Sequence, residues 1–261
     1  MKYINCFIII LLTAVLLSAG IYASDIKIDN TPWKKIDNIC AVKKVKVKRA
    51  SDNSKYTVYF IRFNPKKTEL KVLPSDKYGD KITDVKTLAQ KSGAFCVING
   101  GFFDEDYNPL GLLITEGKIL QYMPEYGNFA VFCIKYNKPR VLHRRDFTYD
   151  GVAEALQCSP RLMSDGVDTS GVCDLDKESR RSGIGIDSLG NIVIYATDDS
   201  VFGGTSFTDL RKIFRLSDIN LSSVLSLDGG KSTQLYFNPG RNKIDIKGYE
   251  NMPVGIGFFK K

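Results

Sequence analysis

The sequence predicts an α+β chain: a single domain of mostly antiparallel or mixed sheet with two principal helices. Period-two runs of β-branched and aromatic residues recur along the chain, as in YTVYFIRF (Tyr56–Phe63) and NIVIYAT (Asn191–Thr197). Only two stretches carry a helical period. Turn residues cut the remainder into short segments. No Gly/Ser or Pro-rich linker, low-complexity tract or repeat of fixed period divides the 261 residues.

The elements follow in order. Met1-Lys2, the apolar run CFIIILLTAVLLSAG and small residues up to Ala23 describe a secretory signal peptide over residues 1–23. The run is short for a membrane anchor, and no second apolar stretch of spanning length follows. The chain is therefore expected to be secreted or periplasmic, with no stable membrane span after cleavage. Residues 24–82 read as a polar lead-in followed by an antiparallel meander of KKVKVKR (Lys43–Arg49), YTVYFIRF and ELKVLP (Glu69–Pro74), joined by DNSK and NPKK turns. In the first run Lys44, Lys46 and Lys48 alternate with Val45 and Val47. The basic face would suit a solvated or edge strand guarded by lysines, or a nucleic-acid surface. Residues 83–261 form the expected core. A helix over TDVKTLAQKSG has Thr83 as its N-cap, Val85, Leu88 and Ala89 on one face and Gly93 at its end. The buried strand AFCVIN follows, then short strands in LGLLIT, AVFCIKY, SGIGID and NIVIYAT. A second helix in FTDLRKIFRL opens on Ser206 and Asp209 and turns Leu210, Ile213 and Phe214 inward. SSVLSLD, STQLYF and MPVGIGFF complete the chain.

Composition narrows the chemistry. The chain has one histidine, His143, so histidine-paired metal sites and HExxH zincins are excluded. Flanked by basic residues in VLHRRD, His143 reads as a surface residue. Five cysteines follow the signal. Cys96 and Cys133 lie in apolar runs as buried thiols, and Cys158 with Cys173 would close a short loop. There is no CxxC pair. Asp174, Asp176 and Glu178 lack the EF-hand spacing and read as a solvated acidic loop. No metal or cofactor is expected. Removal of Lys2 lowers the formal charge of +8 by one, a balance suited to anionic partners. The basic strand lacks clustered stacking aromatics, which argues against nucleic acid.

Two corners share one pattern of helix, buried strand, polar residue and Gly-Gly: Asn99-Gly100-Gly101 and Asp228-Gly229-Gly230, the latter running into Lys231, Ser232 and Thr233. A strand-end acid is costly unless paired or used, and adjacent glycines let a ligand approach the backbone N–H groups. Either corner alone is also an ordinary Asx turn. Together they suggest a shared site. Arg180-Arg181 precede a Gly-spaced strand and suit a phosphate or carboxylate grip. Asp198 and Asp199 end another strand ahead of Gly203-Gly204-Thr205. Asp104 and Asp106 in FFDED read as flanks of a surface loop.

The order of VINGGFF, NPLGLLITEGKIL, SPRLMSDG, RRSGIGID, TDD with GGTS, LSLDGGKSTQLYF and PVGIGFF resembles the phosphodiester glycosidase family over roughly Thr83 to Phe259. Two positions depart from its pattern. Lys231 stands where DGGGS has its third Gly, and Cys158 where Gly is usual. The resemblance implies a hydrolase that breaks the bond between a sugar anomeric carbon and a phosphodiester oxygen on a phosphate-bearing glycan. It implies Asp228 as nucleophile or base and Asp198 as the second catalytic acid. Arg181, Lys231 and the Gly229 and Gly230 amides would hold phosphate. Asn99, Gly100, Gly101, Thr205 and Ser232 would complete the substrate contacts. A phosphomonoester leaves easily, its second pKa being about 6. Such a site needs carboxylates and anion grips more than histidines. The alternatives are a secreted non-enzymatic binder of anionic glycans and a phosphoesterase that cuts P–O.

Overall fold

The computed structural model describes residues 26–124, 129–199, 204–216, 218–240 and 242–261, apart from the Asp199 side chain. The expected signal peptide, Phe202 and Gly203 lie outside them. No helix among the described residues is long and apolar enough to cross a membrane.

Strands dominate, in three sheets whose pairings are antiparallel among the described residues. The first runs β1 (Ile26–Asn30), β3 (Cys40–Arg49), β4 (Lys55–Phe63), β15 (Ile192–Asp199), β14 (Ser182–Asp187), β16 (Leu221–Ser226), β12 (Arg161–Ser164) and β13 (Val167–Asp168), with β2 (Lys34–Lys35) also on β3. The second is β10 (Lys138–His143), β9 (Ala130–Lys135), β11 (Val152–Cys158), β7 (Leu113–Thr115) and β8 (Lys118–Gln121). The third is β18 (Ile244–Ile246), β17 (Leu235–Phe237), β6 (Cys96–Asn99), β19 (Val254–Lys260) and β5 (Thr68–Pro74). Strands from the first fifty described residues thus share sheets with the last hundred.

The expected meander is half formed. β3 and β4 pair from Cys40↔Phe63 to Lys48↔Lys55. β15 takes the other edge of β4. With both edges occupied, β5 leaves for the third sheet and pairs with β19. β3 is likewise interior, with β1 and β2 on one side and β4 on the other. Edge protection therefore does not account for its lysines. Its inward face sets Val45 and Val47 between two buried cations: Lys43 bonds to Thr31 O and, at 2.5 Å, to Asp218 Oδ2, and Arg49 pairs with Glu178 at 2.7 Å.

α1 (Val85–Ser92) starts one residue later than the Thr83 cap implied. The Asp84 carboxylate accepts from the N–H groups of Lys86 and Thr87 at 2.9 and 3.0 Å. Thr83 is instead drawn into a backbone bridge with Met252. Gly93 closes the helix at φ 79° as expected. Val85, Leu88 and Ala89 pack with Leu73, Val97 and Tyr236 on the third sheet. α2 (Phe207–Phe214) opens on Ser206, whose hydroxyl accepts from Asp209 N at 3.0 Å. It lays Phe207, Leu210, Ile213 and Phe214 against one face of the first sheet, with Phe214 edge-on to Phe60. The other face of that sheet meets the third, where Phe63 and Phe258 stack at 3.9 Å.

All five cysteines among the described residues are free thiols. The expected Cys158–Cys173 bond is absent because Cys158 ends β11 inside the core while Cys173 is exposed on a loop. Cys96 and Cys133 are buried, and burial pushes the Cys133 thiol up to about 11.

Candidate active site

The two Gly-Gly corners meet. Asp228 N donates to Gly100 O at 3.1 Å, and Asp228 O accepts from Asn99 Nδ2 at 2.8 Å and Ser182 Oγ at 3.0 Å. Asn99 is fully buried. Its second amide hydrogen goes to Gly100 O, and its oxygen accepts from Gln234 N at 3.2 Å. The Asn99 side chain clasps the corners together and, fully buried, does not line the large cavity. Gly100 and Gly101 are packing positions. A Cβ at Gly100 would stand 2.6 Å from Val254 O, and one at Gly101 2.7 Å from Gln157 O. Neither lines the large cavity; Phe102, the next residue, does.

That cavity has a volume of about 970 Å³. Asp228, Gly229 and Gly230 lie along one wall with Arg181 and Phe207. Arg161 and the loop through Asp174 to Ser179 form another, and Phe102, Phe129 and His143 a third. Asp228 reaches it because β16 ends at Ser226 and the chain turns through a short 3-10 segment, Gly230–Ser232. Gly230 adopts φ 61°, a backbone shape that glycine takes at no steric cost.

The Ser232 hydroxyl and the Gly229 N–H favour the ionised form of the Asp228 carboxyl. Burial outweighs both, and with the charge of Glu250 it pushes the group up to about 6. An acid poised there serves as base or nucleophile near neutral pH. Ser232 is buried and supports the carboxylate rather than opening onto the cavity.

Arg181 is held from three sides. Nη2 donates to Lys177 O at 2.7 Å, Nε to Thr205 O at 3.4 Å, and the guanidinium lies 3.8 Å over the Phe207 ring. Burial pulls its pKa below the ordinary value. A Cβ on Gly229 would sit 3.8 Å from Nη1 and 3.0 Å from Arg180 O, so a side chain there would crowd the grip. Thr205 acts through its carbonyl. Its hydroxyl is buried against Tyr56 Oη at 3.0 Å. The glycines of the following strand are packing solutions: a Cβ at Gly183 would lie 2.3 Å from the Tyr195 ring, and one at Gly185 2.5 Å from Ser223 O.

Two sequence candidates lie elsewhere. Asp198 is opposite Thr57 on β15 and exposed, on the face of Ile194 and Ala196. It lines two grooves at the β3–β4 end and is absent from the cavity wall. Lys231 is exposed beside Tyr107, Tyr249 and Glu250 in a separate surface groove. The strand-end pattern of Asp198 does not reveal which sheet face the acid occupies; the β4 register does.

Other residues gain a place. His143 is half-buried on the cavity wall, not out on the surface, and its Nδ1 accepts from Arg145 N at 3.2 Å. Arg161 bonds to Ser164 Oγ at 3.4 Å, and Lys177 and Asp174 also line the cavity. Arg161 stands within the SPRLMSDG stretch, so a signal for it was present. Lys177 and Asp174 sit in an acidic loop that composition alone makes look solvated. There Glu178 pairs with Arg49 at 2.7 Å, and Asp176 accepts from Thr208 Oγ1 at 2.6 Å. Asp104 accepts from Asp106 N and Asn108 N, the loop role expected of it. Among the described residues no cluster of three His, Cys, Asp or Glu could hold a metal ion.

The chain is 30% identical over 158 residues to the uncharacterized protein YigE of Escherichia coli (strain K12), a match over 57% of this chain that spans 59% of that relative's length. Its fold is similar to that of the zebrafish N-acetylglucosamine-1-phosphodiester alpha-N-acetylglucosaminidase catalytic domain auto-inhibited by pro-peptide. There the TM-score is 0.67 at 15% identity over 91% of this chain and 89% of that one. A hypothetical protein from Synechocystis matches with a TM-score of 0.61, also at 15% identity, over 91% and 68% of the two chains. Phosphodiester glycosidase is the family whose model matches residues 92–259, a span from the end of α1 through the Asp228 corner to β19. The chain belongs to the phosphodiester glycosidase family.

Proposed function

We propose that this protein is an exported hydrolase that cleaves the glycosyl C–O bond of a sugar-1-phosphodiester carried on a phosphate-bearing glycan. The observation that carries the reading is a raised carboxyl at Asp228 lining the same cavity as the immobilised Arg181. Arg181 would hold the phosphate, aided by the Gly229–Gly230 backbone, while Asp228 attacks the anomeric carbon or takes the proton of a water that attacks it. As the C–O bond breaks, the electron pair stays with the phosphate oxygen, where a fixed cation in a low-dielectric wall stabilises it. A phosphate leaving group needs little acid help, which agrees with a wall that carries one histidine and no Asp198. The cavity volume of about 970 Å³ accommodates a sugar, the phosphate and part of an aglycone together. The N-terminal basic, apolar and small-residue pattern supports export.

The test is a panel of sugar-1-phosphodiesters incubated with the protein in heavy-oxygen water. Released sugar carrying the heavy oxygen supports C–O cleavage. Label in the phosphate instead would make the protein a phosphoesterase. Silence across the panel with glycan binding retained would make it a binding protein.

A further inference from the structure

The β3 lysines remain to be explained, since their strand is interior. Side chains at Lys44, Lys46 and Lys48 share one exposed face, spaced about 6.8 Å apart along the strand. Register adds a second row. Lys48 is directly opposite Lys27 on β1 and Lys55 on β4, so three ammonium groups stand abreast on neighbouring strands. Like charges in cross-strand positions destabilise a sheet. Asp29, opposite Lys46, and Asp198, opposite Thr57, are the acids of this face. Among the described residues none of Lys27, Lys44, Lys46, Lys48 and Lys55 forms an ion pair. The contrast with Lys43 on the same strand, buried and paired to Asp218, is direct.

The face is concave. A groove of about 580 Å³ is lined by Lys27, Lys46, Lys48 and Lys55, and a second of about 520 Å³ continues past Lys44 and Lys34. Asp198 lies on the wall common to both. Neither shares a lining residue with the Asp228 cavity.

We propose that this double groove binds a linear, phosphate-bearing polymer, at a site distinct from the Asp228 cavity. Lysines at regular intervals along a path recognise repeated anions, and the cross-strand repulsion is relieved once phosphates lie between them. A planar lipid surface does not enter a groove. Nucleic acid is disfavoured because the Tyr59 face is already covered by Lys44, 5.1 Å from the ring centroid, leaving no free platform for bases.

The experiment measures binding of fluorescent long-chain polyphosphate at several salt concentrations, for the wild type and Lys46→Gln/Lys48→Gln. Polyphosphate holds no glycosidic bond, so the result stands whether or not the protein hydrolyses sugars. Wild-type binding is expected to weaken with salt. The double variant should bind at least about tenfold more weakly, with a salt slope shallower by about one to two. The variant should melt no lower than the wild type, since it loses cross-strand repulsion, and its turnover of a small sugar-1-phosphodiester should be unchanged. Absence of wild-type binding, or equal binding by the variant, overturns the proposal. So does tighter lysine-dependent binding of anionic phosphatidylglycerol vesicles or of single-stranded DNA.

Discussion

At the scale of single residues, the account rests on what surrounds two charges. Asp228 holds a proton in the folded chain up to about pH 6, whereas an unfolded aspartate releases it near 4. Between those values the native state binds more protons than the unfolded one. This group's contribution to stability therefore falls as pH rises through the window, by up to about 3 kcal/mol above pH 6. Asp228→Asn removes that term. Denaturant titrations should show the variant gaining on the wild type by about this much between pH 4 and pH 7. A difference that does not vary with pH would contradict the burial assigned to the carboxyl. Arg181 makes the complementary case. Lysine in its place keeps the charge but loses the bonds to Lys177 O and Thr205 O and the cover of Phe207. Arg181→Lys is expected to raise KM for a sugar-1-phosphodiester about 10- to 100-fold, from the loss of about 1.5–3 kcal/mol of charge-assisted bonding.

At the scale of elements, the corners act as a unit because Asn99 joins them. Asn99→Ala would leave Gln234 N without its acceptor inside the fold and take one of two donors from each of Asp228 O and Gly100 O. Unfolding measurements should find a loss of about 2–4 kcal/mol, and turnover should fall as the Asp228 turn loosens. The elements are also where the sequence was most and least legible. The second helix could be read in full, since the Ser206 cap, the Asp209 spacing and the apolar stripe are all local. Thr83 misled because its neighbour Asp84, also a good cap, is the one left free when Met252 bridges Thr83. The paired Gly-Gly corners were visible as chemistry. The division of labour between them was not, because whether an Asn or a Thr faces a ligand depends on partners more than a hundred residues away. Asp198 shows the same limit: alternation along a strand tells which residues share a face, and only the register with β4 tells where that face lies.

At the scale of the molecule, strands from both ends of the chain are woven into common sheets without covalent cross-links among the described cysteines. The thermal midpoint should therefore be the same with and without reductant. Alkylation of the native protein should modify Cys173 first, since Cys40, Cys96, Cys133 and Cys158 are buried. A reductant-sensitive midpoint, or rapid labelling at Cys158, would contradict that picture. Charge is organised at this scale too. An anion grip inside the large cavity and a lysine groove at the far end of the same sheet both draw on the basic balance of the sequence. The most direct test of the account is the pH dependence of kcat/KM on a sugar-1-phosphodiester, measured side by side for the wild type and Asp228→Asn. The wild type should climb through a pKa of about 6 to a plateau. The variant should show no such step and run at least about a thousandfold lower. An Asp228→Asn protein that kept wild-type turnover would remove Asp228 from the chemistry.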